Sequence, residues 1–237
     1  MAALLDSLAE RKLEFESHLA FAKAMEARIL DGTSFEIDGV SITSRELRVI
    51  KSGLIIHLYN IVEALMSKTM DEVAFAVRES PPEQWSLDTL REWLRYNASF
   101  DLSGDEDTRL KLVHGAACKL LKVDPIEDVR FKKPPGTWSD QVIHSFSKRL
   151  NVGFTLNRVL AEIVKKDERY GDLTPLEFLA RRRNDIAHGS RTFEHGAQDL
   201  TLSDILRLAE ATVTYMEHAV AAFESFVATK KYLLANP

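Results

Sequence analysis

One segment contains the sequence signals for a helix and for both of its ends: Thr174-Pro-Leu-Glu-Phe-Leu-Ala-Arg-Arg-Arg-Asn-Asp-Ile-Ala-His188-Gly189. Thr174 can cap the first free backbone amides, and Glu177 completes a capping box. Pro175 suits the first helical position, and Gly189 stands where a left-handed residue commonly ends a helix. The segment therefore predicts a short helix whose apolar residues hold it to a core.

The last two turns of this helix crowd together polar side chains: Arg181, Arg182, Arg183, Asn184 and His188. Asn184 and His188 are four residues apart and share one side of the helix, so the amide can fix the orientation of the imidazole. Arg183 lies five residues before His188, about 140° around the helix. The two side chains can still converge on a groove beside the helix end.

The run Arg183-Asn-Asp-Ile-Ala-His188-Gly189 resembles the signature of the HEPN superfamily, the higher eukaryotes and prokaryotes nucleotide-binding domains. That signature is an Arg, four to six residues and then a His, often with a polar residue after the Arg. The resemblance implies a helical bundle. In many members it also implies a metal-independent endoribonuclease of toxin–antitoxin, abortive-infection or other conflict systems.

A second run, Arg109-Leu-Lys-Leu-Val-His114-Gly115, fits the same pattern. Its Arg is followed by Leu110, which leaves no polar partner to orient His114. Acidic residues from Asp105 to Asp107 also precede it. The chemistry therefore favours the later copy.

An earlier segment carries a further resemblance. Gly53-Leu-Ile-Ile-His-Leu-Tyr-Asn-Ile-Val-Glu63-Ala resembles the second helix of one bacterial HEPN group, in which a Tyr-Asn pair and a Glu one turn later precede a late Arg-Asn…Ala-His-Gly. Its polar members are His57, Tyr59, Asn60 and Glu63. Two interpretations stay open: these side chains are hydrogen-bonded core groups, or some of them line the cleft that holds His188.

The composition restricts the number of domains, the cellular compartment and the kinds of site that the chain can have. With 237 residues, 45% of them apolar, we expect a single domain over residues 1–237 with a sizeable core. The lone Cys118 excludes an internal disulfide and predicts a reducing, cytoplasmic compartment. The sequence has no His-Glu-x-x-His and no four-ligand Cys/His set, so we expect no metal site and no cofactor.

The overall charge constrains any nucleic-acid partner. A net charge of −5 argues against broad, sequence-independent binding to nucleic acid, which depends on many phosphate contacts. Binding of RNA must therefore depend on a local cationic pocket. On charge alone, the predicted RNA contacts are Arg181, Arg182 and Arg191.

No membrane segment is expected. The start of the chain reaches Asp6 too soon for a signal peptide. The most apolar run, Gly53 to Met66, contains His57, Asn60 and Glu63, which indicates a buried helix rather than a membrane span.

Apolar periodicity predicts an all-α fold, a HEPN-like bundle of long helices over residues 2–30, 43–80 and 201–231. Alternation around Asp38-Gly39 predicts a small β-hairpin over residues 35–42. Residues 83–170 are predicted to be a helical insertion before the motif helix, serving specificity, dimerisation or partner contact. Within the insertion, a helix over residues 107–121 is expected to turn these side chains inward: Leu110, Val113, Ala117, Leu120 and Leu121.

The residue types suit cleavage of RNA by its own 2′-hydroxyl, which needs a proton-transfer group and a cation near the phosphate. His188 suits the first role and Arg183 the second, with Asn184 as their polar neighbour. The HEPN resemblance implies a homodimer that brings two motifs together across a twofold axis. It also implies products with a 2′,3′-cyclic phosphate and a 5′-hydroxyl.

Three functional hypotheses follow. The first is an endoribonuclease that acts as a homodimer, the toxin or effector of a toxin–antitoxin or antiphage defence system, with an antitoxin or other defence-system protein as partner. The second is a non-catalytic HEPN-like module that binds RNA, a nucleotide or a protein. The third is a plain helical scaffold with a chance Arg…His pair, against which the second-helix resemblance counts.

Overall fold

The computed structural model of the chain describes residues 2–32, 35–98, 105–123 and 125–234. Within these ranges the chain forms eight α-helices: α1 Ala2–Leu30, α2 Ser44–Arg78, α3 Leu87–Asn97, α4 Glu106–Leu120, α5 Asp140–Arg149, α6 Arg158–Ile163, α7 Pro175–Ala187 and α8 Leu202–Ala228. Short 3-10 helices cover Pro82–Gln84 and Glu168–Tyr170, and the two strands are β1 Phe35–Ile37 and β2 Val40–Ile42. The prediction of an all-α fold is confirmed.

The predicted hairpin is present between α1 and α2. Strands β1 and β2 pair antiparallel, with Phe35 opposite Ile42. Asp38 and Gly39 have φ values of 49° and 79°, the pair of left-handed conformations that a two-residue type I′ turn requires.

The long helices begin and end close to the predicted positions. Helix α1 stops at Leu30, and Gly32 follows it in the left-handed region with a φ of 66°. At the start of α2 the Thr43 amide donates to Glu46 Oε2 at 2.8 Å, while the Thr43 hydroxyl oxygen accepts from the Arg45 amide at 3.2 Å. These exchanges satisfy backbone amides that have no partner inside the helix.

The chain divides into two compact units. Unit 1 comprises Met1–Leu65, Thr137–Gln141 and Leu156–His218, and unit 2 comprises Met66–Gly136, Val142–Thr155 and Ala219–Pro237. Helices α2, α5 and α8 each have residues in both units. The interpretation of residues 83–170 as an insertion into a single domain stays a prediction.

Unit 1 buries apolar side chains from all of its long helices. In α1 these include Phe15 and Leu19, and in α8 they include Ile205 and Met216. The fully or almost fully buried apolar and aromatic residues of α2 in this unit are Leu54, Ile55, Leu58, Tyr59, Ile61, Val62 and Leu65. Burial of such side chains is the main favourable term in folding.

Unit 2 is centred on aromatic residues and one buried carboxylate. Phe146 and Phe223 stack with ring centroids 5.9 Å apart. Glu92 has no exposed side-chain surface and accepts hydrogen bonds from Arg95 Nε at 3.1 Å and Arg149 Nε at 2.8 Å. The second guanidinium contact of Arg149 joins the same carboxylate, so this buried charge is paired on both oxygens.

Helix α4 contradicts the side-chain orientation predicted for it. Leu110, Val113 and Leu121 are 62%, 46% and 75% exposed, whereas Ala116 is the one residue of the helix that is buried. The helix itself was predicted correctly, but its apolar residues lie largely at the surface of the described structure.

Helix α2 is long and apolar enough to cross a membrane when judged by length and composition alone. However, 56% of its most apolar 18-residue window is buried inside the protein. Such burial is typical of a core helix, the interpretation that its polar residues also favour.

Candidate functional site

Both predicted ends of α7 are confirmed. The Thr174 hydroxyl accepts from the Glu177 amide at 3.1 Å, and Glu177 Oε2 accepts from the Thr174 amide at 3.2 Å, which completes the capping box. His188 is the C-terminal cap, and its amide donates to the Asn184 carbonyl at 2.9 Å. Gly189 then turns the chain with a φ of 76°. Local sequence therefore fixes where the motif helix starts and stops.

A buried carboxylate anchors the start of α7. Thr174 Oγ1 donates to Asp140 Oδ1 at 2.6 Å, and the Tyr215 hydroxyl donates to the Asp140 carbonyl at 3.0 Å. Burial raises the pKa of Asp140, although the hydrogen bond from Thr174 works in the opposite direction. The role of Asp140 could not be predicted from the sequence, because no local pattern links it to a capping residue 34 positions away.

Arg183 lies against two polar residues of α2. Its Nη2 donates to Glu63 Oε2 at 2.5 Å, and its guanidinium carbon is 4.4 Å from the centre of the Tyr59 ring. Its Nη1 donates to Asn184 Oδ1 at 3.1 Å. The Arg183 side chain thus has an ion pair, a cation–π contact and a neutral hydrogen bond that together fix its position.

The surroundings of Arg183 include the short segment that follows Gly136. The Tyr59 hydroxyl accepts from the Trp138 amide at 2.9 Å, and Asn184 Nδ2 donates to Thr137 Oγ1 at 3.3 Å. Burial raises the pKa of Tyr59, so its hydroxyl stays neutral. The cluster therefore joins three separate stretches of the chain around one arginine.

The four polar residues of the α2 segment divide among three environments. Tyr59 and Glu63 contact Arg183, as described above. His57 instead pairs with α1, where its Nδ1 lies 3.0 Å from His18 Nδ1 and its Nε2 lies 3.9 Å from Glu14 Oε2. Asn60 is exposed. Tyr59 is buried and hydrogen-bonded, as the first interpretation states. That some of these side chains line a cleft with His188 stays a prediction.

The His188 imidazole is exposed at the end of α7. Within the described residues it makes no hydrogen bond or ion pair. Asn184 uses its amide for Arg183 and Thr137, so the orienting role predicted for Asn184 towards His188 has no hydrogen bond in this structure. Arg183 and His188 likewise make no direct contact within one chain. Asn184 lies between them and accepts a hydrogen bond from each, through its side-chain oxygen from Arg183 and through its backbone carbonyl from the His188 amide.

Arg182 was predicted as an RNA contact, but its side chain lies in the protein interior. Its side chain is 7% exposed, and both ends of its guanidinium pair with Asp199, at 2.5 and 2.8 Å. It also donates to the Gly196 carbonyl at 2.8 Å and lies over the Phe178 ring. This ion pair lowers the pKa of Asp199. A guanidinium that is buried and paired in this way is unavailable to a ligand, so Arg182 is a structural residue.

The other two predicted RNA contacts line one small cavity beside α7. Arg181 is exposed, and within the described residues its guanidinium has no ion pair or hydrogen bond. Arg191 lies at the outer limit of an ion pair, with its Nε 3.8 Å from Asp185 Oδ2. Both cations are therefore accessible to a ligand.

Two further histidines have partners other than the residues of this cluster. His114, in the earlier copy of the pattern, has the Cys118 sulfur 3.7 Å from its Nδ1 and lies in unit 2. His195 lies in the loop after α7 with its Nδ1 2.9 Å from Thr192 Oγ1. Among the described residues, no group of three or more His, Cys, Asp or Glu side chains lies close enough to hold a metal ion.

Comparison with known proteins gave one family match. A family model described as HEPN_MAE_28990:/-like HEPN matches residues 1–232. The match includes both the α2 segment and the α7 segment. No curated protein and no solved structure matched the chain.

Proposed function

Because the chain belongs to the MAE_28990-like HEPN family, we propose that it is an endoribonuclease that acts as a homodimer and needs no metal ion. The family membership, which agrees with the resemblance of residues 183–189, supports a nuclease or an RNA-binding module. Cleavage is the more specific alternative, and the residues of α7 support it.

The observation that carries this proposal is the environment of His188. Its imidazole is exposed at a helix end whose backbone is fixed by Asn184 and Gly189. No described side chain forms a hydrogen bond or an ion pair with this imidazole. A solvent-exposed imidazole on a rigid helix can accept a proton from a bound substrate or donate one to it.

The proposed reaction needs two proton transfers. One His188 takes the proton from the ribose 2′-hydroxyl while that oxygen bonds to the adjacent phosphorus. The bond from phosphorus to the 5′-oxygen breaks, and a second histidine protonates that leaving oxygen. The products carry a 2′,3′-cyclic phosphate and a 5′-hydroxyl, and no water or oxidant is consumed.

The homodimer supplies what one chain lacks. A single chain offers one exposed motif histidine, whereas the reaction uses one proton acceptor and one proton donor. A twofold axis through the ends of two α7 helices brings two copies of His188 to one phosphate. Arg183 then stabilises the charge that grows on the phosphate in the transition state.

The biological setting is part of the same proposal. An endoribonuclease of this family suits the role of toxin or effector in a toxin–antitoxin or antiphage system, with an antitoxin or other defence-system protein as partner. The single cysteine, Cys118, is free and agrees with a reducing cytoplasm.

The test is cleavage of RNA in excess EDTA by the wild-type protein and by three variants. We expect His188→Ala and Arg183→Ala each to lower the rate at least about 100-fold, the usual size of a lost acid–base or charge-stabilising group. His195→Ala is the matched control, because it removes an imidazole from a nearby loop, and it should retain the wild-type rate. Undiminished cleavage by His188→Ala would end the proposal.

One observation favours the non-catalytic alternative, a module that binds RNA, a nucleotide or a protein. Arg183 is already paired with Glu63 and stacked on Tyr59, as expected of an arginine that joins two helices. Expression discriminates between the two functions. An active ribonuclease slows growth unless its partner is present, and the double variant Arg183→Ala, His188→Ala relieves this effect. A binding module has the same effect on growth with or without these side chains.

A further inference from the structure

A small cavity of about 230 Å³ beside α7 is lined mainly by charged side chains. Those charged residues are Arg169, Arg181, Arg182, Asp185, Arg191 and Asp199. Four guanidinium groups against two carboxylates give the lining an excess of positive charge. The protein as a whole has a net charge of −5, so this excess is a local feature.

The four arginines are not equivalent. Arg182 is buried and paired with Asp199, so it contributes positive charge but no pair of N–H groups that could bind a ligand. Arg169 is more than half exposed and is oriented by Asp167, to which its Nε and Nη2 donate at 3.2 and 2.9 Å. This contact occupies one edge of the Arg169 guanidinium and leaves other N–H groups available.

Arg181 and Arg191 have the weakest attachments to the protein. Within the described part of the chain the Arg181 guanidinium has no hydrogen bond or ion pair, and the Arg191 guanidinium has one ion pair, the 3.8 Å contact with Asp185. The Tyr170 ring also lines the cavity and packs against Phe178 with centroids 5.1 Å apart. The cavity thus combines accessible guanidinium groups with a rigid aromatic wall.

The cavity and His188 lie on the same side of α7. Arg181, Asp185 and His188 are spaced by four and then three residues, which places them along one stripe of a helix. At 1.5 Å per residue, His188 lies about 10 Å along the axis from Arg181. Arg183, by contrast, is turned about 140° away from His188.

We propose that this cavity binds a single phosphate group, held by Arg181, Arg191 and Arg169. Arginine offers a planar fork that matches phosphate oxygens, and several such forks converge here. The cavity is smaller than the roughly 300–1,000 Å³ of sites that enclose whole drug-sized ligands, so it suits a phosphate rather than a complete nucleotide.

The source of the phosphate is an RNA strand, an inference that rests on the proposed function. Because Arg181 lies about 10 Å along α7 from His188, we infer that the cavity receives a phosphate that flanks the one being cleaved. That phosphate is either an internal one of the backbone or the terminal 5′-phosphate of the strand. Both have the same chemistry, and the experiment separates them.

The experiment measures binding in the His188→Ala protein, in which the proposed reaction cannot consume the RNA. A labelled single-stranded RNA is titrated with this protein and with the added changes Arg181→Gln or Arg169→Gln, each at several salt concentrations. We expect each change to weaken binding roughly tenfold, the loss of one charge-assisted contact. The slope of log affinity against log salt should fall by about 0.7 for each lost single-strand phosphate contact.

Arg109→Gln is the matched control. It removes one exposed arginine from α4 in unit 2, so the net charge changes by the same amount. We expect it to leave both the affinity and the salt slope unchanged. Arg181→Lys keeps the charge but removes the fork, and it should give an intermediate affinity. Circular dichroism confirms that each variant is folded, as expected for exposed side chains.

Two further arms identify the source. RNAs of one sequence are compared with a 5′-hydroxyl and with a 5′-phosphate. Equal sensitivity of both to Arg181→Gln assigns an internal phosphate, and sensitivity confined to the phosphorylated strand assigns the terminal one. Inorganic phosphate is expected to compete with the RNA for the His188→Ala protein that retains Arg181. It should compete more weakly when Arg181→Gln is added.

The outcomes separate this inference from the proposed function. If Arg181→Gln and Arg169→Gln bind RNA as the Arg109→Gln control does, the phosphate site is overturned, whatever the nuclease assay shows. If both changes weaken binding but the wild-type protein cleaves no RNA, the phosphate site stands and the nuclease proposal fails.

Discussion

Three consecutive arginines of α7 occupy three different environments. Arg181 is exposed, Arg182 is buried against Asp199, and Arg183 pairs with Glu63 of α2. Each residue advances about 100° around a helix, so neighbours in sequence face different surroundings. Identical side chains can therefore be exposed, buried in an ion pair or paired with a neighbouring helix within one turn.

Arg182 gives a stability prediction. We expect Arg182→Ala to lower the free energy of unfolding by about 2 kcal/mol, below the usual 3–5 for a broken buried pair. The reduction is smaller because Asp199 is half exposed and can be hydrated once Arg182 is gone. Urea unfolding followed by circular dichroism measures the change. Arg181→Ala should stay within about 0.5 kcal/mol of wild type, and equal losses in both variants would contradict this assignment.

His57 gives a prediction about pH. Burial lowers its pKa, His18 and Arg11 lower it further, and Glu14 opposes them. The unfolded chain therefore binds a proton more readily than the folded one below about pH 6.5, so the free energy of unfolding falls as pH falls through that region. The 3.0 Å contact with His18 agrees, since two protonated Nδ1 groups would repel each other.

The measurement is the free energy of unfolding at about pH 5.5 and pH 7.5, on either side of an ordinary histidine pKa. His57→Gln should reduce the difference between the two values. His195→Gln removes an imidazole from an exposed loop and should leave that difference as it is in the wild type. The same reduction in both variants would contradict a particular role for His57.

Local contacts of the site could be predicted from sequence, but distant ones could not. The Thr174–Glu177 capping box involves residues three apart, so its pattern is visible in the chain. The partner of Arg183, Glu63, is 120 positions away, and only the folded structure shows that they meet. The α2 resemblance singled out Glu63 without identifying its partner.

Substitution of Gly by Ala is expected to have opposite effects on stability at two positions, one inside a helix and one at a helix end. Gly189 ends α7 with a φ of 76°, whereas Gly53 lies inside α2 with an ordinary conformation. Neither has an atom within 4 Å of an added Cβ, so only the backbone differs. We expect Gly189→Ala to destabilise the protein by about 1 kcal/mol and Gly53→Ala to stabilise it by about 0.5–1 kcal/mol. Thermal unfolding measures both, and shifts of the same sign would contradict the role of Gly189 as a helix terminator.

Helix α4 shows why an element can be predicted while its environment is not. Its Asp105 cap and its leucines indicate a helix, and a helix is present from Glu106. Periodicity cannot say whether another element covers the apolar side, because that depends on the positions of distant segments. Leu110 and Leu121 are consequently at the surface of the described structure.

At the scale of the whole molecule, the proposed dimer has a direct consequence for mixed samples. Wild-type protein is allowed to exchange subunits with an equal amount of His188→Ala protein. If one site uses both histidines, only wild-type dimers are active, about a quarter of all dimers after random exchange. We expect the activity per wild-type chain to fall by about half.

The control is an equal addition of His195→Ala protein, which should raise the total activity in proportion. A mass of twice 26.8 kDa by light scattering should accompany the activity. Unchanged activity per wild-type chain after subunit exchange would show that each site uses one histidine only.

Under the proposed function, the pairing of Arg183 with Glu63 also affects which ligands can recruit this arginine. A lone phosphate that approached Arg183 would compete with a carboxylate of like charge already 2.5 Å from the guanidinium, and it would gain little from the exchange. A strand anchored elsewhere can make the exchange, because its next phosphate arrives at a high effective concentration. If the protein binds RNA as proposed, the Glu63 carboxylate selects ligands by their length, because an anchored polymer displaces it from Arg183 and a monomer does not.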